Sequence, residues 1–239
     1  MAELQPRKRL TRAESKALTR ARLLDAAAVL FARKGFGGAS VEEIAEAAGY
    51  TIGAVYAQFG SKAQLMVELL SSRVSERVAE VAQIVEQGGE DDRFPMRALD
   101  ELLTRVAEKN RDAAPLQAEF WLYAVRNPEV LQAFGARLQE PKHALAEVLD
   151  GVVGRYAPGA EEHVDALATI TFALFEGLVR QRRIDPASVP DGMYSQALCW
   201  LFDGLSVEAK AKAKEVAGRR EAPVEEATAP AKEAAGERP

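Results

Sequence analysis

The segment from Ala39 to Leu65, ASVEEIAEAAGYTIGAVYAQFGSKAQL, constrains the fold more than any other stretch, because it places two very short helices around one glycine turn. Ser40 followed by Glu43 is a capping box, and Val41, Ile44, Ala45 and Ala48 then recur at the spacing of one buried helix face. That face ends after about two turns. Gly49 suits the left-handed residue that closes such a helix, and Thr51 caps the next one. Ile52, Val55 and Phe59 are the expected inward side of this second helix, and Gly60 ends it.

The flanks supply what such a hairpin lacks. Upstream, Leu23, Ala26, Ala27, Leu30 and Phe31 form an amphipathic stripe on a helix that Gly35 can terminate. Downstream, Ser61 with Gln64 reads as another capping box, opening a long helix through Leu65, Leu69, Leu70 and Val74. Lys62 falls in the first turn of that helix, where a cation is disfavoured by the helix dipole, and so hints at an external anion. Read as a helix-turn-helix, the first short helix crosses a DNA backbone and the second enters the major groove. Gly53, Ala54, Ala57 and Gln58 then face outward, and of these Gln58 alone can make a paired hydrogen bond to a base. A helical hairpin used only for packing remains the competing reading of the segment taken alone.

Together, LLDAAAVLFARKGF and SVEEIAEAAGYTIGAVYAQFGSK resemble the first three helices, and the start of the fourth, of the tetracycline-repressor (TetR) family of bacterial transcription regulators. The likeness runs without gaps and is strongest from Arg22 to Leu65. It implies that Ser40, Thr51, Tyr56 and Lys62 touch phosphate, while Gly53, Ala54, Ala57 and Gln58 lie on the base-facing side. Arg20, in the basic stretch ahead of the packed helices, joins them as a DNA-contact candidate. The family often carries a hydroxyl residue where Ala54 stands and a histidine near Ala57 or Gln58, so this chain departs from the pattern at its base-reading positions.

The net charge of −5 over 239 residues argues against a DNA binder until it is divided along the chain. Met1 to Lys62 hold 10 basic and 6 acidic side chains, whereas the remainder holds 21 and 30. A basic headpiece on an acidic body attracts phosphate at one end and repels it elsewhere. Residues 1–18 read as a basic, flexible arm, although Thr11 with Glu14 is one more capping-box match that leaves the start of the first helix open. Residues 19–65 form the DNA-binding unit, 66–205 an effector-binding and dimerisation body, and 206–239 a mostly disordered tail, in which Lys210, Lys212 and Lys214 on an alanine-rich background can extend the last helix by a few turns.

The body reads as all-α. Apolar-periodic runs predict helices near Met96–Lys109, Leu116–Arg126, Glu129–Gln139, Pro141–Tyr156, Glu162–Ile184 and Gly192–Leu205, and no alternation lasts long enough for a sheet. Gln87 to Asp92 is the expected loop between headpiece helix and body. The run EFWLYAVRNPEVLQAF, from Glu119 to Phe134, gathers aromatic and polar groups of the kind that line small-molecule pockets, though aromatic clusters at helical spacing are more often simple core. Glu119, Phe120, Tyr123, Phe172 and Phe175 are the ligand candidates. In VDALATITFALFEGLVRQRR, from Val164 to Arg183, Ala173 and Gly177 lie four apart and permit close helix approach. The resemblance implies a dimer built on the last two long helices, and Ala173, Gly177, Leu198 and Leu201 are its interface candidates.

Enzyme chemistry finds no constellation: His143 and His163 stand alone, Cys199 lacks a partner in sequence, and neither a phosphate loop nor zinc spacing occurs. No catalytic residue, metal site or cofactor is expected. With one Cys and no apolar run behind Arg7, Lys8 and Arg9, a cytoplasmic location is expected and no membrane partner. The expected function is a homodimeric, ligand-responsive repressor that binds palindromic double-stranded DNA and is released by a small apolar or amphipathic effector. The alternative is a helical carrier or enzyme that keeps an unused headpiece.

Overall fold

The computed structural model describes residues 11–88, 95–109 and 113–221. Among the described residues ten α-helices follow one another without a strand: α1 (Arg12–Gly38), α2 (Val41–Ala48), α3 (Ile52–Phe59), α4 (Lys62–Gln87), α5 (Met96–Lys109), α6 (Ala113–Arg126), α7 (Pro128–Arg137), α8 (Gln139–Tyr156), α9 (Val164–Ile184) and α10 (Met193–Glu221). None of them is long and apolar enough to cross a membrane.

The caps explain where the helices begin. At Thr11 the hydroxyl accepts the Glu14 N–H at 3.2 Å while the Glu14 carboxylate accepts the Thr11 N–H at 2.7 Å. Both halves of this capping box are made, so residues 12–18, expected in a flexible arm, are the first turns of α1. The rest of the proposed arm lies outside the described residues. Ser40 and Glu43 complete the same exchange at α2, and Gly49 closes that helix with φ 73° and ψ 32°. Ser61 caps α4 by accepting the Gln64 N–H at 3.1 Å, but the return bond expected from Gln64 is not formed. Ile52 departs from expectation as well: at the first position of α3 it projects outward, leaving Val55 and Phe59 to hold the helix down.

α5 coincides with its expected span, and the later helices begin up to three residues from theirs. The exception is the end of α10, which runs on to Glu221 instead of stopping at Leu205. Alanine and lysine, both good helix formers, alternate from Ala209 to Lys214, Ala209 is buried near Gly159, and Lys212 reaches Glu162 on the turn ahead of α9. The tail expected to be disordered is therefore helical over its first 16 residues. Its remainder is outside the described residues, as is most of the Gln87–Asp92 loop.

Two cores divide the protein, and their border does not follow the expected domain boundary. One gathers Leu23, Phe31, Ile44, Val55, Phe59, Leu65 and Met66 from α1–α4, together with Leu116, Phe120 and Ala124 of α6 and Val130 of α7. The other joins Val74 and Val78 of α4 to α5, α8, α9 and α10 through Leu102, Leu149, Phe175 and Leu198. The α6–α7 pair, assigned to the body from sequence, thus buries its apolar side in the headpiece. α4 alone contributes heavily to both cores, changing from one to the other between Leu69 and Val74.

Candidate nucleic-acid interface and effector cavity

α3 is held by Val55 and Phe59 and exposes Thr51, Gly53, Tyr56 and Ala57, with Ala54 half-buried behind them. Thr51 accepts the Ala54 N–H at 3.3 Å and so spends part of its hydroxyl on the cap. Small residues leave backbone accessible, and the Tyr56 hydroxyl is a donor suited to phosphate. Gln58 lies less openly than expected. It is half-buried, and its Oε1 is enclosed without a hydrogen-bond partner, so reading a base edge requires the side chain to rotate outward.

Arg20 and Lys62, both expected at phosphate, are engaged within the protein. The Arg20 guanidinium stacks 4.9 Å from the Phe59 ring centroid, donates to the Gln58 carbonyl at 3.5 Å and pairs with Glu68 of α4. Glu68 also meets Arg137 of α7 at 3.2 Å, so a charged tie runs from α7 through α4 to the end of α3. Lys62 donates to the carbonyls of Ala39 at 2.8 Å and Gly37 at 3.5 Å, and its ammonium sits 4.7 Å from the Phe36 ring centroid. Its anion is the cluster of backbone carbonyls left at the end of α1, where a cation is favoured. Ser40 likewise serves its own helix, accepting the Glu43 N–H at 3.2 Å.

The opposite side of the same joint is closed by Glu119. Its carboxylate accepts the Phe36 N–H at 2.8 Å and the Gly37 N–H at 2.6 Å. This contact requires Gly35, which has φ 74° and lies so close that a Cβ there would stand 2.6 Å from Glu119 Oε2. Phe36, Phe120 and Tyr123 pack around it, with the Phe36 and Tyr123 rings 4.8 Å apart. Three of the five ligand candidates, Glu119, Phe120 and Tyr123, build the junction between α6 and the headpiece, where Glu119 and Tyr123 also line an open cleft with Phe36 and Lys62. The sequence cluster is real, but its aromatic side turns toward α1.

A partly open apolar pocket lies in the other core. Phe172 and Phe175, the two remaining candidates, line it with Leu102, Leu149, Leu198 and Phe202. Its polar groups are few and turned to one another: the Thr171 hydroxyl donates to Leu167 O at 2.8 Å, and the Tyr194 hydroxyl approaches Thr171 O at 3.4 Å. Burial, helped by the nearby Asp100 charge, pushes the Tyr194 phenol well above its usual range, so it stays a neutral donor. Arg77 is the charged side chain on the lining, and it pairs with Glu176 at 2.7 Å.

The interface candidates separate into two kinds. Ala173 and Gly177 are exposed on α9, and nothing lies near Gly177 that a side chain would meet. Leu198 is buried against the cavity, which takes it off a partner-facing surface, whereas Leu201 is half-buried and packs on the edge of the same core. The reason is phase: Tyr194, Leu198, Phe202 and Ala209 form the inward row of α10. Outside that row stand Trp200 and Val207, each 68% exposed, and Ile170 of α9 is exposed as well. Trp200 was missed, although a tryptophan off the inward row is the available sequence signal. Among the described residues no group of three or more His, Cys, Asp and Glu is placed to hold a metal ion.

Comparison with known proteins supplies the remaining argument. Residues 23–69 match the family described as bacterial regulatory proteins, tetR family. The probable HTH-type transcriptional regulator ArpR of Pseudomonas putida is 36% identical over 195 residues, spanning 79% of this chain and 90% of that protein. The HTH-type transcriptional repressor KstR2 of Rhodococcus jostii is 38% identical over 80 residues, so the similarity covers only 39% of its length. Among solved structures, the multidrug binding protein EbrR in complex with imidazole superposes with a TM-score of 0.54 at 22% identity, over 76% of this chain and 93% of that one, a likeness of fold. With a helix-turn-helix headpiece, an all-helical body and a full-length relative of this similarity, the chain belongs to the tetR family of bacterial regulatory proteins and is a transcriptional regulator rather than an enzyme.

Proposed function

We propose that the protein is a homodimeric repressor that binds a palindromic operator and releases it when a small apolar or amphipathic effector enters the body. One observation carries this reading: the helix whose first turns pack in the headpiece core through Leu65 and Met66 lines the body cavity two turns later through Val74, Arg77 and Val78. An effector that prefers one setting of α4 must shift headpiece geometry by its differential affinity for the two states. EbrR, of like fold, is by its name a multidrug binding protein, which accords with effector binding in the body. Ile170, Ala173 and Gly177 of α9 with Trp200 and Val207 of α10 offer an apolar face for a second copy. Two headpieces related by a two-fold axis then read two half-sites. Cytoplasmic residence follows from that role.

Selection of bound sequences from random duplexes tests the reading directly. A palindromic site is expected, with log K falling against log salt at a slope near −7 if about four phosphates are neutralised per headpiece. The exposed cations Arg12, Lys16, Arg22 and Arg33 suffice for that number. A small-molecule library is then screened by thermal shift for compounds that bind the body and release the selected duplex. Failure to select any duplex refutes the regulator, and hits that leave operator affinity unchanged refute ligand response.

A further inference from the structure

α3 is eight residues long, and Val55 and Phe59 are its buried side chains. Thr51 caps its start, but the Gln58 carbonyl in its last turn is beyond reach of an intrahelical N–H. Arg20 of α1 supplies the missing donor. Its guanidinium reaches Gln58 O at 3.5 Å and lies over the Phe59 ring, a cation placed where the carbonyl end of a helix favours one. Glu68 of α4 holds Arg20 there. The Glu68 side chain is only 18% exposed; one of its oxygens pairs with Arg20 and the other with Arg137 at 3.2 Å. A shielded carboxylate shared by guanidiniums from two other helices is fixed more firmly than an isolated surface pair. Arg137 lies in the last turn of α7, and Leu138 is at once the final cap of α7 and the first cap of α8. α8 in turn lends Leu145 and Leu149 to the wall of the body pocket. Side chains of Arg20, Glu68 and Arg137 thus connect the end of the DNA-facing helix to a pocket-lining helix, in addition to the backbone of α4.

We propose that Glu68 is a positioning residue for DNA recognition: shared between Arg20 and Arg137, it fixes the tilt of α3 and makes the protein selective for one spacing between half-sites. This role rests on the reading of the chain as a dimer that binds two half-sites. One base pair added between half-sites moves them about 3.4 Å apart and turns one by about 35° around the duplex, so tolerating the change requires α3 to swing. With Glu68 neutral, the Phe59 ring and one long hydrogen bond are what keep Arg20 in place. α3 then swings more freely, and the cost of ordering it passes to DNA binding. A phosphate ligand behaves differently: gaining or losing one per headpiece changes the salt slope by about 1.8 per dimer, at about 0.9 per contact.

The test uses the full-length protein and three duplexes: the selected site, and the same half-sites with one base pair added or removed between them. Affinities are read by fluorescence anisotropy over a range of salt. The wild type is expected to prefer the selected spacing by about 30-fold. Glu68→Gln should weaken binding to the selected site about tenfold and lower the preference to about fivefold or less, with the salt slope within about 0.5 of the wild type. Arg137→Gln should lower the preference by a smaller factor, about threefold, and add nothing to Glu68→Gln, because it acts through that carboxylate. Should Glu68→Gln lose helicity, Arg137→Gln, whose side chain is 55% exposed, decides alone: an unchanged preference overturns the role. An unchanged preference in Glu68→Gln overturns it too, and a slope steeper by about 1.8 in that variant makes Arg20 a phosphate ligand that Glu68 merely restrains. Equal binding of all three duplexes by the wild type removes the role and leaves the regulator standing. Failure of the wild type to bind any duplex with two half-sites refutes the dimeric reading itself, and the role with it.

Discussion

Replacing Gly35 by alanine tests how the body holds the headpiece. Two costs are separable there. Gly35 has φ 74° and ψ 172°, a region adopted almost only by glycine, and alanine there costs about 1–3 kcal/mol for the backbone alone. Its Cβ would also lie 2.6 Å from Glu119 Oε2, an impossible approach, so the flexible carboxylate is displaced and loses its bonds to the Phe36 and Gly37 N–H groups. Hydrogen bonds to an ionised acceptor are worth about 1.5–3 kcal/mol when shielded, and Glu119 is largely exposed, so about 1–2 kcal/mol for the pair is appropriate. Gly35→Ala should therefore cost about 2–5 kcal/mol, and Glu119→Ala about 1–2 kcal/mol. The double variant should be no worse than Gly35→Ala alone, because the second cost has already been incurred by the first change. Urea unfolding followed by far-ultraviolet circular dichroism, at one fixed protomer concentration, gives the three differences. If the two single effects add within about 0.5 kcal/mol, Glu119 does not clamp the joint and the argument fails.

Two further measurements address the DNA face and the dimer. Tyr56→Phe is expected to weaken selected and unrelated duplexes by similar factors, whereas Gln58→Ala should change preference at one base position per half-site by about 1–3 kcal/mol; binding to a library of single-base variants distinguishes the two. Trp200→Glu places a charge on the apolar face of α10 and should shift the protein to monomer in sedimentation experiments while preserving helicity; an unchanged oligomer would exclude that face as the interface.

Much of the fold was readable because its signals are local. Ser40 and Glu43, Gly49, Thr51 and Gly60 act within a few residues of themselves, and the structure finds each where the spacing implies. The partners of charged groups were not readable, because they come from helices distant in sequence. Lys62 looked like a cation awaiting an external phosphate, and only the fold brings the Ala39 carbonyl, 23 residues away, to its ammonium. The partners of Arg20 and Glu119 were hidden for the same reason, lying 48 and 83 residues off. Arg77 escaped notice altogether: on a helix rich in arginine and glutamate, nothing in the sequence distinguishes the one guanidinium that forms a cavity wall. Leu198 and Trp200 differ only by rotation about α10, which periodicity defines poorly in a helix carrying apolar residues on two sides.

The sharing of the headpiece core with α6 and α7 bears on domain exchange. A regulator recombined after Leu65, at the boundary its sequence suggests, would join a new reading unit to walls shaped for the old one. Phe120, Ala124 and Val130 would face strangers, and Glu119 would seek its two N–H groups at a turn built for another clasp. Functional grafts onto this body therefore need to carry residues 113–137 along with the first 70, a discontinuous module stitched from two parts of the chain.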